Sequence, residues 1–226
     1  MLPDYRRMRR MNEDGIATGT ARRRNPRGQG DRLRAEILAA VGRLLDQKLT
    51  DNPLPVSFRE VAREVGIAAQ SMYLHFADKD ELARAVAEDG YRRVVEAMRA
   101  ADTDVAAAGA AAGERLRAQA HAFCDFARDE RGVFRLMFGH DASSFDGPGR
   151  YHPARLLWHQ WLDAIHACEN EGRHWPDGAE YATMLLWSAL FGRFALWSST
   201  FASHDPQELT AFADRAVDTV LRSAQR

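Results

Sequence analysis

The sequence predicts an all-α protein, and three observations carry that prediction. Apolar residues recur at three- and four-residue intervals through most of the 226 residues, as one face of a helix requires. No run alternates with period two, and no Asn-Gly hairpin signal occurs. Helix-start pairs also precede several of the periodic segments: Ser57 with Glu60, Asp78 with Glu81, Asp177 with Glu180, and Asp205-Pro206 with Glu208. The expected architecture is an N-terminal three-helix helix-turn-helix domain joined to a larger C-terminal helical domain. The expected boundaries are a basic arm over 1–30, the helix-turn-helix domain over 31–78 and the larger helical domain over 79–226.

Residues 1–30 are rich in Arg, Gly and Asn and have no periodicity, so no fixed structure is expected there in the free protein. They carry a net charge of +5, leaving −6 for the remainder of a chain whose total is −1. Arg22, Arg23 and Arg24 stand just ahead of the first helix. Such an arm suits a narrow minor groove or a row of phosphates. The alternative is a solvated tail, or a true start at Met8 or Met11.

The first helix is expected over Asp31–Lys48, with Leu33, Ile37, Val41, Leu44 and Leu45 on its apolar face and Asp51-Asn52-Pro53 ending it. Phe58, Val61, Ala62 and Val65 give the second helix its buried stripe. Gly66 sits where a helix end needs a residue tolerant of positive φ. Ile67, Met72 and Phe76 form a third apolar set. The fourth helix is expected from Lys79 to about Ala100, and the Ala-rich stretch 101–113 is read as a loop or frayed end. Helices then follow over Glu114–Asp129, Val133–Phe138, Pro153–Glu171, Asp177–Ser199 and Pro206–Ser223, with a Gly-, Asp- and Ser-rich loop over 139–152.

No apolar run reaches membrane-spanning length, and no signal peptide pattern opens the chain. Cys124 and Cys168 lack a C-x-x-C spacing and read as buried free thiols. A cytoplasmic protein meeting the nucleoid is expected, with no membrane partner and no cofactor. His152, His159 and His166 recur every seven residues, but no carboxylate completes a ligand set, so no metal is expected. Neither a G-x-S-x-G elbow nor a Walker loop occurs, which argues against an enzyme.

A helix, a glycine turn and a short second helix make a helix-turn-helix, whose second helix enters the DNA major groove. The local pattern is more specific. Tyr73, His75, Phe76, Lys79 and Leu82 spell Y-x-H-F-x-x-K-x-x-L, behind Phe58-x-x-Val61-Ala62-x-x-Val65-Gly66-Ile67. Up to about Val86, this segment resembles the DNA-binding segment of TetR-family transcriptional regulators. The resemblance implies that Arg59, Ala69, Gln70, Ser71, Tyr73, Leu74 and His75 occupy DNA-touching positions. Their chemistry agrees: Arg59 can fork onto guanine, Gln70 can pair with adenine, and Tyr73 and His75 can donate to phosphate. Lys79 adds charge, and Ser57 serves as a cap, a phosphate donor or both. Ala68 departs from the pattern, because many family members have Ser or Thr there as the N-cap.

The C-terminal half is dense in aromatic and sulfur side chains. Met98, Phe123, Phe126, Phe134, Met137, Phe138, Trp158, Trp161, Tyr181, Met184, Trp187, Phe191 and Trp197 read either as plain core or as the lining of a cavity. His121, Arg155 and His159 are the candidate polar groups that would orient a ligand. Family resemblance implies a small effector, here apolar or aromatic, that alters the spacing of two DNA-binding heads. The run Trp187–Gly192 resembles the WHG type of regulatory domain, with Phe191 in place of its namesake histidine. Ala189, Gly192 and Ala195 are small enough for a close helix contact, and the last two helices are expected to form a homodimer. The function expected is therefore a ligand-responsive repressor on a palindromic operator in double-stranded DNA. The alternatives are an activator or a regulator without a ligand and, outside DNA binding, a helical enzyme or protein-binding module.

Overall fold

The computed structural model describes residues 29–48, 54–139, 152–199 and 205–225. The compact unit is Arg34–Arg226, and all packing below lies within it. Among the described residues the elements are helices: α1 (Gln29–Gln47), α2 (Phe58–Val65), α3 (Ala69–Met72), α4 (Lys79–Ala107), α5 (Ala112–Asp129), α6 (Arg131–Gly139), α7 (Ala154–Asn170), α8 (Ala179–Ser199) and α9 (Pro206–Ser223). One isolated bridge, between His174 and Gln225, is the only extended pairing among them.

The head is held by a small apolar core and by charged side chains around it. Ile37, Ala40, Val41 and Leu45 of α1 are buried, as are Phe58, Val61, Ala62, Met72 and Phe76. Arg43 pairs with Glu64 at 3.1 Å, Lys48 pairs with Glu60, and Arg34 donates to the His75 carbonyl at 3.0 Å.

The fourth helix does not stop near Ala100. It runs on to Ala107, so residues 101–107 belong to it, and the turn is confined to Ala108–Ala110 with Gly109 at φ 79°. Two features hold the extension. Alanine has the highest helix propensity. Asp102 accepts both arms of the Arg115 fork, at 2.9 and 2.8 Å, and the Gln119 amide at 3.1 Å. Gln119 in turn accepts from Gln160, which accepts from Arg99, each at 2.8 Å. This buried polar chain joins α4, α5 and α7. The first amide of α5, on buried Ala112, is capped from far away, by Glu171 at 2.9 Å.

The N-terminus of α6 sits against the C-terminal half of α1. The Gly132 amide donates to the Asp46 carboxylate at 2.7 Å. Burial pushes that carboxyl above its ordinary range, and the amide bond works against the shift. A β-carbon on residue 132 would lie 2.5 Å from the Leu45 carbonyl carbon, so only glycine permits this approach. Further along, the Tyr91 hydroxyl of α4 donates to the Met137 carbonyl at 3.0 Å, and Val133, Phe134, Leu136 and Met137 are buried.

Helices α5, α7, α8 and α9 complete the C-terminal bundle. Arg117 reaches Asp218 at 2.7 Å, and His121 meets Asp214 at 2.7 Å, both tying α5 to α9. The Trp175 indole donates to the Val220 carbonyl at 3.0 Å, which fastens the α7–α8 connection to the end of α9. Two expected caps take another form. α8 begins after Gly178, at φ 90°, so Asp177 is not its N-cap. Asp205 does cap α9 by accepting from Gln207, but Glu208 pairs with Arg193 at 2.9 Å instead of reaching back. Both cysteines are buried, and burial raises their thiols to about 12 for Cys124 and about 11 for Cys168.

The Gly132→Ala variant is expected to lose about 2 kcal/mol, because the clash falls on backbone that has nowhere to move. Urea unfolding should show a lower midpoint with an unchanged slope; an unchanged midpoint would mean that α6 is free to shift on α1.

Candidate nucleic-acid interface and effector cavity

The turn of the helix-turn-helix is built from local chemistry. The Ser57 hydroxyl accepts the Glu60 amide at 3.3 Å while the Glu60 carboxylate accepts the Ser57 amide at 2.8 Å, a complete capping box at the start of α2. Gly66, at φ 78° and ψ 31°, turns the chain, and the Ile67 amide closes onto the Ala62 carbonyl at 2.9 Å. Ala68 takes the N-cap position of α3 in extended conformation and offers no side-chain bond. Asp78 caps α4 by accepting the Glu81 amide at 2.7 Å, while Glu81 accepts from Ala77, one residue beyond the expected partner.

Burial points α3 outward. Met72 and Phe76 face the core. Arg59, Gln70, Tyr73, Leu74 and Lys79 are exposed, and Ala69, Ser71 and His75 are half-buried on the same short segment. Leu74 and Tyr73 are 67% and 58% exposed, unusual for large apolar side chains. Tyr73 is steadied by Phe58, edge to face at 5.0 Å. The Ser57 hydroxyl is committed to Glu60 as both acceptor and donor, so capping is its role in the free head. Lys79 donates to the Leu54 carbonyl at 3.2 Å. Arg22, Arg23 and Arg24 lie outside the described residues.

A groove of about 330 Å³ opens between α4, α6 and α8. Four of the expected cavity residues line it: Met137, Met184, Trp187 and Phe191. Phe138, of the same aromatic set, lines it too, as do Tyr91, His152, Ala154 and Ser188, which sequence reasoning missed as lining residues. Tyr91 lies seven residues before Met98 on α4, so the shared face was readable, but nothing local distinguished an edge position from a filled one. The Trp187 indole N–H is buried without a hydrogen-bond partner among the described residues. The Ala154 amide donates to His152 Nδ1 at 3.1 Å, which leaves Nε2 as the protonated nitrogen of the neutral ring.

The remaining expected cavity residues do other work. Met98, Phe123, Phe134 and Trp161 are fully enclosed and fill the core. Phe123 packs edge-on against both Phe134 and Trp161, at 5.5 and 5.6 Å. Phe126 lies under the Arg93 guanidinium at 5.5 Å, and His121 is held by Asp214. Trp158 backs Trp187 at 6.4 Å. Arg155 and His159 line a separate cleft beside α1. Ala189, Gly192 and Ala195 are half-buried on α8.

Comparison with known proteins follows these two regions. Residues 53–86 match the model of bacterial regulatory proteins of the tetR family, and residues 116–220 match the tetracyclin repressor-like C-terminal domain. The chain belongs to the TetR family. An uncharacterized HTH-type transcriptional regulator of Haemophilus influenzae is 35% identical over 104 residues, 46% of this chain and 47% of that protein. The chain thus aligns with about half the length of that curated relative. Among solved structures, one assigned to the TetR family of transcriptional regulators, from Mesorhizobium loti, has a TM-score of 0.69 at 19% identity, covering 88% of this chain and 99% of the other. RolR in complex with resorcinol has a TM-score of 0.56 at 18% identity, covering 87% and 97%. These likenesses establish the shared fold.

The missing cap gives one expected outcome. Ala68→Ser should add about 1 kcal/mol of stability by supplying an acceptor to the first turn of α3. A melting temperature at or below the parent's would show that the turn cannot use it. A second outcome follows from Glu60. Lys48, and then the Ser57 amide and hydroxyl, hold its carboxyl at about 2, below the ordinary value of 4.5. A depressed folded value stabilises the fold above 4.5, and the benefit disappears as pH falls toward 2. Glu60→Gln should therefore melt lower than the parent at neutral pH, with the gap closing across that window. A gap independent of pH would assign the loss to shape and not to charge.

Proposed function

We propose that this protein is a transcriptional regulator that binds a palindromic DNA operator as a homodimer and is released by a small effector. The observation that carries the DNA-binding half is the outward face of α3. Gln70, Tyr73 and Leu74 stand exposed on a segment whose inner face is anchored by Met72 and Phe76. Gln70 is suited to read an adenine edge and Arg59 a guanine, while Tyr73, His75 and Lys79 serve phosphates. The arm with Arg22, Arg23 and Arg24 adds sequence-independent affinity.

Homodimerisation is supported by α8, which is apolar on all sides. Its inner residues Leu186, Leu190 and Phe194 enter the core, while Tyr181, Met184, Leu185 and Leu196 are exposed. Between them, Gly192 has open space where a β-carbon would stand, which leaves room for close approach of a second helix. One α3 reads only a few base edges, so two symmetric heads about one helical turn apart supply the remaining specificity. The effector reading rests on the aromatic groove and on the unpaired Trp187 indole N–H, which favour an aromatic molecule bearing a hydrogen-bond acceptor. No helix of the described residues is long and apolar enough to cross a membrane, and a regulator of this kind acts at the nucleoid in the cytoplasm. Repression is the mode we favour, with no catalytic role.

Fluorescence anisotropy on the intergenic DNA beside the protein's own gene tests this reading. Specific binding is expected at about 0.15 M salt, weakening steeply as salt rises. Gln70→Ala should weaken it by about tenfold or more, with no change in melting temperature because the side chain is exposed. Absence of sequence-specific binding by the parent protein would overturn the proposal.

A further inference from the structure

The recognition segment is short and open at its start. α3 has four helical residues, and Ala68 gives its first turn no side-chain cap. At its far end the His75 and Phe76 amides both close onto the Met72 carbonyl, each at 3.0 Å, and the Leu74 amide closes onto the Ser71 carbonyl at 3.1 Å. So few helical bonds do not hold themselves in water, and the segment depends on what grips it from outside. We infer that Arg34 of α1 is a positioning residue for DNA recognition. It sets the angle of the recognition segment, and so its sequence discrimination, without itself touching DNA.

Arg34 grips the turn at two adjacent residues. Its Nη1 donates to the His75 carbonyl at 3.0 Å, and its guanidinium lies over the Phe76 ring at 4.4 Å. Two points fix a direction as well as a position. A planar guanidinium holds both at once, whereas an ammonium has no flat face to stack while it donates. The bond is charge-assisted and partly shielded from water. Both ends of the grip are firm. Arg34 stands one helical turn before Ile37 and Val41, which are buried in the core of the head, and Phe76 is itself buried.

The gripped turn carries the outward-facing groups. Tyr73 and Leu74 are exposed immediately before it, and the His75 side chain hangs from the residue whose carbonyl Arg34 holds. A tilt of this turn moves all three together and carries Gln70 with them. Hydrogen bonds to base edges weaken steeply with misalignment, whereas attraction to phosphates is less directional and tolerates it. Loss of the grip therefore costs discrimination between sequences more than it costs general affinity for DNA. The link to DNA rests on the function proposed above; the ordering of the turn by Arg34 does not.

Two measurements on the full chain test this. Amide hydrogen exchange of the free protein compares the parent with Arg34→Met, which keeps the apolar stem. The Leu74, His75 and Phe76 amides should exchange about tenfold faster, while the Val61 amide of α2 keeps its rate. Anisotropy then compares the intergenic duplex with a scrambled duplex of equal length at one salt concentration. Arg34→Met should lose about tenfold on the intergenic duplex and less than about twofold on the scrambled one, with the salt slope unchanged. Arg34→Lys should lose nearly as much discrimination as Arg34→Met, although it keeps the charge. Full recovery in Arg34→Lys would assign the role to charge alone and overturn the positioning. Equal loss on both duplexes with a shallower salt slope would make Arg34 a phosphate contact and overturn it as well. Faster exchange of Val61 to the same degree would reduce Arg34 to a general stabiliser, and unchanged exchange at Leu74–Phe76 would remove the grip. If the parent does not discriminate between the duplexes, the proposed function fails and the specificity role falls with it, while exchange alone still decides whether Arg34 orders the turn.

Discussion

At the contact of α1 with α6 the Gly132 amide points at the Asp46 carboxylate, and the absence of a β-carbon lets two backbones meet. Gly132 is buried there, so its amide would be left unsatisfied without the Asp46 carboxylate. The contact has consequences beyond its size. α6 carries Met137 and Phe138, which form one wall of the aromatic groove, and its Met137 carbonyl holds Tyr91 of α4. A nine-residue helix therefore touches the head at one end and a cavity wall at the other. Protein interiors are close-packed and do not deform smoothly. A molecule that displaces Phe138 must move α6 as a body or be refused.

The head itself is stabilised unevenly. α2 and α4 have full side-chain caps, while α3 has only four helical residues and none. Its outer side chains have few intramolecular partners, which suits residues whose partner is another molecule. Its order comes from Met72 and Phe76 beneath, from Phe58 against Tyr73, and from Arg34 against the trailing turn. Each of these is non-covalent and individually modest, so α3 is the part of the head most sensitive to what surrounds it.

Features decided within a few residues were readable from sequence. The Ser57–Glu60 box, the Gly66 turn, the Asp78 cap and the uncapped Ala68 all depend on neighbours three or four positions away. Those decided across the fold were not. The end of α4 depends on Arg115 and Gln119 of another helix, and the start of α5 on Glu171, 59 residues distant. Asp177 looked like a cap because its local pattern is correct, but Gly178 turns the chain before α8 begins. The aromatic inventory left core and cavity both open. Phe123 and Phe134 fill the core while Phe138 and Phe191 border a space, and composition is the same for both. Arg155 and His159 were placed with the aromatics by residue type, whereas the helix face puts them beside α1.

The polar chain through Arg99, Asp102, Gln119 and Gln160 gives α4 a fulcrum. Sliding α4 along its axis would strand buried amides, so that end resists translation. From Asp102 to Lys79 the helix spans about 35 Å at 1.5 Å per residue. One degree of rotation about the clamped end then displaces the other by roughly 0.6 Å. A few degrees suffice to shift a DNA-facing side chain by more than the tolerance of a base-edge hydrogen bond, so small strains near the bundle are read as large ones at the tip.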